Sequence, residues 1–162
     1  MLHFHLTQKL ANATGSDLAL APEDLGALDA WYVNRVKVHG FGAFLIFTQR
    51  DSLFSVLLDA PPRQPFFRSA SRLKDRLKHL AGRNLYADSP AFTTCKTNSK
   101  SILGCMNDFA FILKFEVHRQ YDAHRPVDLG MIEDLINNMP ITPLGSDYAS
   151  ERFEQLVAEQ VG

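Results

Sequence analysis

Residues 31–58 constrain the fold most. Trp31, Val33, Arg35, Lys37 and His39 alternate with Tyr32, Asn34, Val36 and Val38. That period of two is the signature of a strand with two unlike faces. Gly40-Phe41-Gly42 can turn the chain, residues 43–48 are apolar and aromatic, and Gln49-Arg50-Asp51-Ser52 makes a second turn before the strand-like 53–58. Strands joined by turns this short run antiparallel, because a parallel return needs a crossover of roughly a dozen residues. The segment predicts an antiparallel β-meander. Together with the helical patterns downstream, it predicts an α+β fold with helices packed on one face of the sheet.

The rest of the chain is read around that meander. Leu2, Phe4 and Leu6 share one face of a short strand and His3 and His5 the other, where solvated histidines are expected. Residues 12–16 read as a loop, and Pro22-Glu23-Asp24-Leu25 as the start of a short helix ending near Ala30. After Pro61-Pro62 the spacing becomes helical over 66–80, with Leu73, Leu77 and Leu80 one turn apart and Gly82 as the stop. Residues 84–94 read as a loop with room for one short strand. Ile102, Leu103, Met106, Ala110, Leu113 and Val117 make a helical stripe that Ser99 or Ser101 can cap, although 109–117 also fits a strand. After a loop at 120–126, Asp128 caps a helix through 138 with Met131, Ile132 and Leu135 on one face. A turn at 139–145 precedes a last helix over 148–160 carrying Phe153, Leu156, Val157 and Val161. The expectation is one domain over 1–162, with a sheet core at about 1–60 and a helical remainder at about 64–160.

Composition narrows the class. Of 162 residues 46% are hydrophobic, including 12 Phe, which suffices for one core. The net charge of −1 gives no global basic excess of the kind that drives phosphate binding. Two cysteines, Cys95 and Cys105, are too few for a disulfide scaffold or a thiolate metal site. The N-terminus lacks the basic and long apolar regions of a signal peptide, and no apolar run approaches the roughly 18 residues that cross a bilayer. A soluble cytoplasmic protein with reduced cysteines and no membrane partner is expected.

The distinctive segment is Thr97-Asn98-Ser99-Lys100-Ser101-Ile102-Leu103-Gly104-Cys105-Met106-Asn107-Asp108. It resembles the signature of a family of small bacterial proteins of unknown function, Thr-x-Asn-(Arg or Ser)-Ser-(Val or Ile)-Leu-Gly-Ser-Met-Asn-Asp. The likeness runs over roughly residues 2–117 and includes the tryptophan strand and meander. Cys105 stands where that family has Ser, which argues against an indispensable hydroxyl there. The resemblance implies relatives but no reaction, ligand or partner.

Physically, the same segment can be a polar ligand site built from Thr97, Asn98, Ser99, Ser101, Asn107 and Asp108. The plainer reading is favoured: 97–101 cap the helix, Gly104 allows close packing against another backbone, and Asn107-Asp108 tether a loop. His3 and His5 have the His-x-His spacing of some metal sites, with His118, Asp122 and His124 as further ligands, but nothing resembles His-Glu-x-x-His and solvated histidines are favoured, so no metal or cofactor is assigned. Neither cysteine sits in a nucleophile signature. Arg63, Arg68, Arg72, Lys74, Arg76, Lys78 and Arg83 form a local basic run. Arg68, Arg72 and Arg76 are its candidates for anion or nucleic-acid contact, against the favoured alternative of a solvated face balanced by the acidic C-terminal third, Glu133 included.

The sequence does not reveal the function. The favoured expectation is a non-enzymatic binding protein with a protein partner, such as an accessory component of a bacterial gene module. The alternatives are a small-ligand protein or enzyme using 97–108, and a nucleic-acid-associated factor using 63–83. Whether the chain is an enzyme, and its oligomeric state, are left open.

Overall fold

Alternation in Leu2–Leu6 (β1) and Ala30–Val38 (β2), and apolar runs in Gly42–Gln49 (β3) and Ser55–Asp59 (β4), place four strands in one sheet, joined by Phe92–Lys96 (β5). The computed structural model describes residues 1–86, 91–145 and 147–160. The sheet order is β4-β3-β2-β1-β5. β2, β3 and β4 pair antiparallel, as the meander requires, but β1 pairs parallel with both β2 and β5. The sheet is therefore mixed, not purely antiparallel. The correction comes from crossovers: β1 returns to β2 through Gln8–Thr14 (α1), and β4 reaches β5 only after Phe66–Ala81 (α2). Local pattern cannot announce such long connections.

Helices cover both faces, which corrects the expectation of one. Phe4 packs edge-on against Phe66 of α2 with centroids 5.2 Å apart, and its register partner Trp31 meets Phe153 of Ala149–Glu159 (α5) at 6.3 Å. On the opposite face His5 stacks on Tyr32 at 4.5 Å, and the Tyr32 hydroxyl donates to Asn98 Oδ1, just before Lys100–Asp122 (α3). One apolar cluster runs through both layers, from Leu2 and Phe4 to Ile132 and Leu156.

Local chemistry explains the elements. Residues 8–14, partly expected as loop, form α1 because Thr7 Oγ1 accepts from Leu10 N at 3.3 Å and Gly15 takes the left-handed conformation at φ 65°. Residues 22–29 form no helix. Asp29 N turns back to Gly26 O at 3.0 Å, while the carbonyls of Ala27 and Leu28 accept from the Gln49 amide and the Trp31 indole. In α3, Ser99 is the cap, and Phe109, Leu113 and Val117 are buried while Phe111 and Phe115 are exposed. That split is helical, since a strand would place 109, 111, 113 and 115 together. Residues 87–90 of the loop expected at 84–94, and Val161 of the last helix, lie outside the described residues.

Both sheet edges are occupied. Leu129–Asn137 (α4) buries Ile132 and Ile136, but beside them it buries Glu133 and Asn137 rather than the expected Met131 and Leu135, which are exposed. Asn137 accepts from Ser55 N at 2.7 Å and donates to Ser55 O at 2.8 Å, and Glu133 Oε2 accepts from Leu57 N at 2.9 Å. These two side chains satisfy the outer edge of β4 as a further strand would. At the other edge Ala19 bridges β5, donating to Thr94 O and accepting from Lys96 N. No described helix is long and apolar enough to cross a membrane.

Candidate functional site

The six candidate ligand residues of 97–108 are spread along the chain from the end of β5 to the third turn of α3. Asn98 is held by Tyr32 at the end of β5, and Ser99 Oγ accepts from Ile102 N at 3.3 Å as the α3 cap. Thr97 is partly buried beside them. Ser101, Asn107 and Asp108 lie on exposed turns of α3, with Asn107 about 12 Å along the helix axis from Ser99. Asp108 makes no hydrogen bond among the described residues, so it tethers no loop there. Gly104 faces open space, with nothing within 4 Å of where a Cβ would stand. The close-packing reading of Gly104 is therefore corrected: α3 packs through Ile102, Met106 and Phe109, and Gly104 lies on its outer side.

The histidines of β1 are not solvated. His3 is 8% exposed and His5 1%, since β1 lies between β2 and β5 and His5 stacks on Tyr32. His5 Nδ1–H donates to Lys96 O at 3.1 Å, which leaves Nε2 an unprotonated acceptor with no partner among the described residues. Burial holds the His5 pKa below its ordinary 6.5 against the opposing pull of that carbonyl, and burial likewise lowers His3. The sign follows. The unfolded chain takes up protons below about pH 6.5 that the native imidazoles resist, so native stability is full above that value and falls as pH drops toward the lowered native pKa. His5→Asn, whose amide can still donate to Lys96 O, should flatten this decline in urea titrations between about pH 7 and 5. An unchanged slope in that variant would place the proton uptake elsewhere.

The thiols are poorly suited to nucleophilic work. Cys95 is fully buried, Cys105 is only partly buried, and both are free. Burial raises the pKa of each, and Asp108 raises that of Cys105 further, so neither is a ready thiolate. His3 Nδ1 lies 3.8 Å from Cys95 Sγ, a loose contact with a protonated thiol. No group of three or more His, Cys, Asp or Glu side chains among the described residues is placed to hold a metal.

The basic run on α2 divides. Arg72 pairs with Asp59 at the end of β4, and Arg76 reaches Glu133 at 3.1 Å. Arg68 is exposed and unpaired among the described residues. Burial raises the Glu133 pKa, an effect that Leu57 N–H and Arg76 partly offset. Arg72 and Arg76 therefore neutralise carboxylates at the β4 edge.

Unpaired positive charge collects elsewhere. α1, β2 and α3 enclose a groove of about 460 Å³ whose lining includes Lys9, Arg35, Lys37 and Lys114 together with Thr7, Asn34 and Asn107. Among the described residues none of the four cations has an ion-pair partner and no Asp or Glu lines the groove. Arg35, Leu10 and Ala13 also border an adjoining hollow of about 300 Å³ that includes Arg63, a non-glycine residue at φ 61°. The groove exists because β1 stops at Leu6, opposite Val33, while β2 continues to Val38. Arg35 and Lys37 thus lie on a stretch of β2 that β1 does not pair, and residues of α1 line the same hollow. Sequence reasoning missed it because Lys9, Arg35, Lys37 and Lys114 lie up to 105 positions apart and form no run.

No curated protein matches the chain. A family match spans residues 3–151, which takes in the five strands except Leu2 and the helices as far as the first turn of α5. The chain therefore belongs to the family described as Domain of unknown function (DUF6933).

Proposed function

We propose that this chain is a non-enzymatic binding protein and that its ligand is an anion held in the groove between α1, β2 and α3. One observation carries the reading: four cations from three separate elements border a single hollow, with no carboxylate among its described lining residues. Like charges gathered this way repel and lower the stability of the folded state, and a bound anion removes that cost. Thr7, Asn34 and Asn107 add neutral polar groups, so Asn107 is the one candidate from 97–108 that serves the groove. Binding is favoured over catalysis because the described thiol–imidazole contact, Cys95 Sγ with His3 Nδ1 at 3.8 Å, is buried and its thiol is held protonated.

Titration calorimetry with tripolyphosphate at low salt tests the reading. The wild type should bind, and Arg35→Glu/Lys37→Glu should lose about 100-fold or more, since two charge-assisted contacts are removed and reversed. Arg68→Glu on α2 should bind like the wild type. Absence of binding overturns the proposal. So does a loss confined to Arg68→Glu, which would move the site to the basic helix.

A further inference from the structure

We infer that the partner is a single-stranded nucleic acid whose phosphates follow the cationic groove while its bases stack on Phe111 and Phe115 of α3. This inference rests on the anionic reading of the groove and adds the class of ligand. Phe111 is 71% exposed and Phe115 57%, on a helix that buries Phe109, Leu113 and Val117. The two rings are one turn apart, a rise of about 6 Å. They border a shallow hollow of about 390 Å³ that also includes Lys114. Lys114 lines the cationic groove as well, so the aromatic surface and the charged surface meet at one side chain. Along α3 the order is ring, cation, ring; on β2, Arg35 and Lys37 stand about 6.6 Å apart along the strand.

The combination selects the ligand. A free phosphate or small anion would use the cations and leave two large apolar rings in water. A protein helix docking on the rings would meet unpaired positive charge along one side. A single strand uses both: its backbone neutralises the groove and its unpaired bases present π-faces, which stack without regard to sequence. A duplex hides those faces in its own stack, so it can use the cations but not the rings. The overall charge of −1 means that affinity must come from this local arrangement and not from a general field.

The experiment is fluorescence anisotropy with a labelled 12-nucleotide oligothymidylate and a mixed-sequence 12-base-pair duplex, with tripolyphosphate calorimetry alongside. The single strand should bind more tightly than the duplex, with a log K against log salt slope of about −0.7 per phosphate neutralised. Phe111→Ala/Phe115→Ala removes exposed side chains and should leave the fold and tripolyphosphate binding intact. It should weaken oligothymidylate binding by about 5-fold to 150-fold for each base that loses its platform. Equal affinity for strand and duplex, or an aromatic double variant that binds the strand like the wild type, overturns the inference. Tripolyphosphate binding without oligonucleotide binding also overturns it and leaves the groove reading standing, whereas loss of both probes overturns both. Sedimentation closes the remaining route: a wild-type dimer that Phe111→Ala/Phe115→Ala turns into a monomer, with strand affinity unmoved, makes the rings a self-association surface and overturns the inference.

Discussion

Asn137→Ala should lower the unfolding free energy by about 2–5 kcal/mol, because it strips both backbone partners from Ser55 at the edge of the sheet. Asn137 is 3% exposed and Ser55 0%, so water cannot replace the lost bonds without opening the structure. The donor at 2.8 Å and the acceptor at 2.7 Å belong to one amide, which is why a single substitution leaves two buried groups unsatisfied. Asn137→Asp keeps the acceptor for Ser55 N–H and loses the donor, so its cost should be smaller from the hydrogen bonds alone. A second consequence is self-association, since β4 would present a bare edge to other chains. Urea unfolding with light scattering on the native protein measures both effects. A loss under about 1 kcal/mol with no change in mass would show that α4 does not seal the edge.

Phe4→Ala should cost about 3–5 kcal/mol, the range for truncating a large buried aromatic. Phe4 is fully buried and touches the rings of Phe47, Phe66 and Phe92 at 5.9, 5.2 and 5.6 Å, all edge-on. These rings belong to β3, α2 and β5, so the cavity would open at the junction of three elements that only tertiary packing brings together. Edge-to-face geometry adds about 0.5–1.5 kcal/mol per aromatic pair beyond area burial, which pushes the effect toward the upper end. Phe4→Leu fills much of the space and should recover part of the loss. Thermal or urea unfolding of both variants decides it. Equal stability of Phe4→Ala and wild type would mean that the neighbouring rings collapse into the gap, and a crystal structure of the variant would show them moved.

Much of the chain was legible because its signals are local. The alternation in 31–39 with the turns that follow it, Ser99 at the start of α3, the aspartate before Leu129 and the leucine spacing of α2 each act within a few residues, and each corresponds to an observed element. The far half of α3 was ambiguous because Phe109-Ala110-Phe111-Ile112-Leu113 is apolar throughout. The expected core side of α4 was misplaced for a related reason: Met131 and Leu135 are apolar, while the buried Glu133 and Asn137 are polar and read as surface. Their burial is stable only because a strand edge supplies partners for them, and that edge is more than 70 residues away in sequence.

The same distinction divides the functional reading. Sequence alone determined the meander, the capped helices and the existence of the 97–108 segment, since periodicity and capping chemistry are written over short distances. Tertiary structure alone decided four things. β1 is inserted parallel between β2 and β5. His3 and His5 are buried. Arg72 and Arg76 are committed to Asp59 and Glu133. Lys9, Arg35, Lys37 and Lys114 converge on one groove. Each of these depends on which distant segments meet. A side chain's environment, and hence its charge state and its freedom to bind a ligand, is set by those neighbours and not by the residues beside it in the chain.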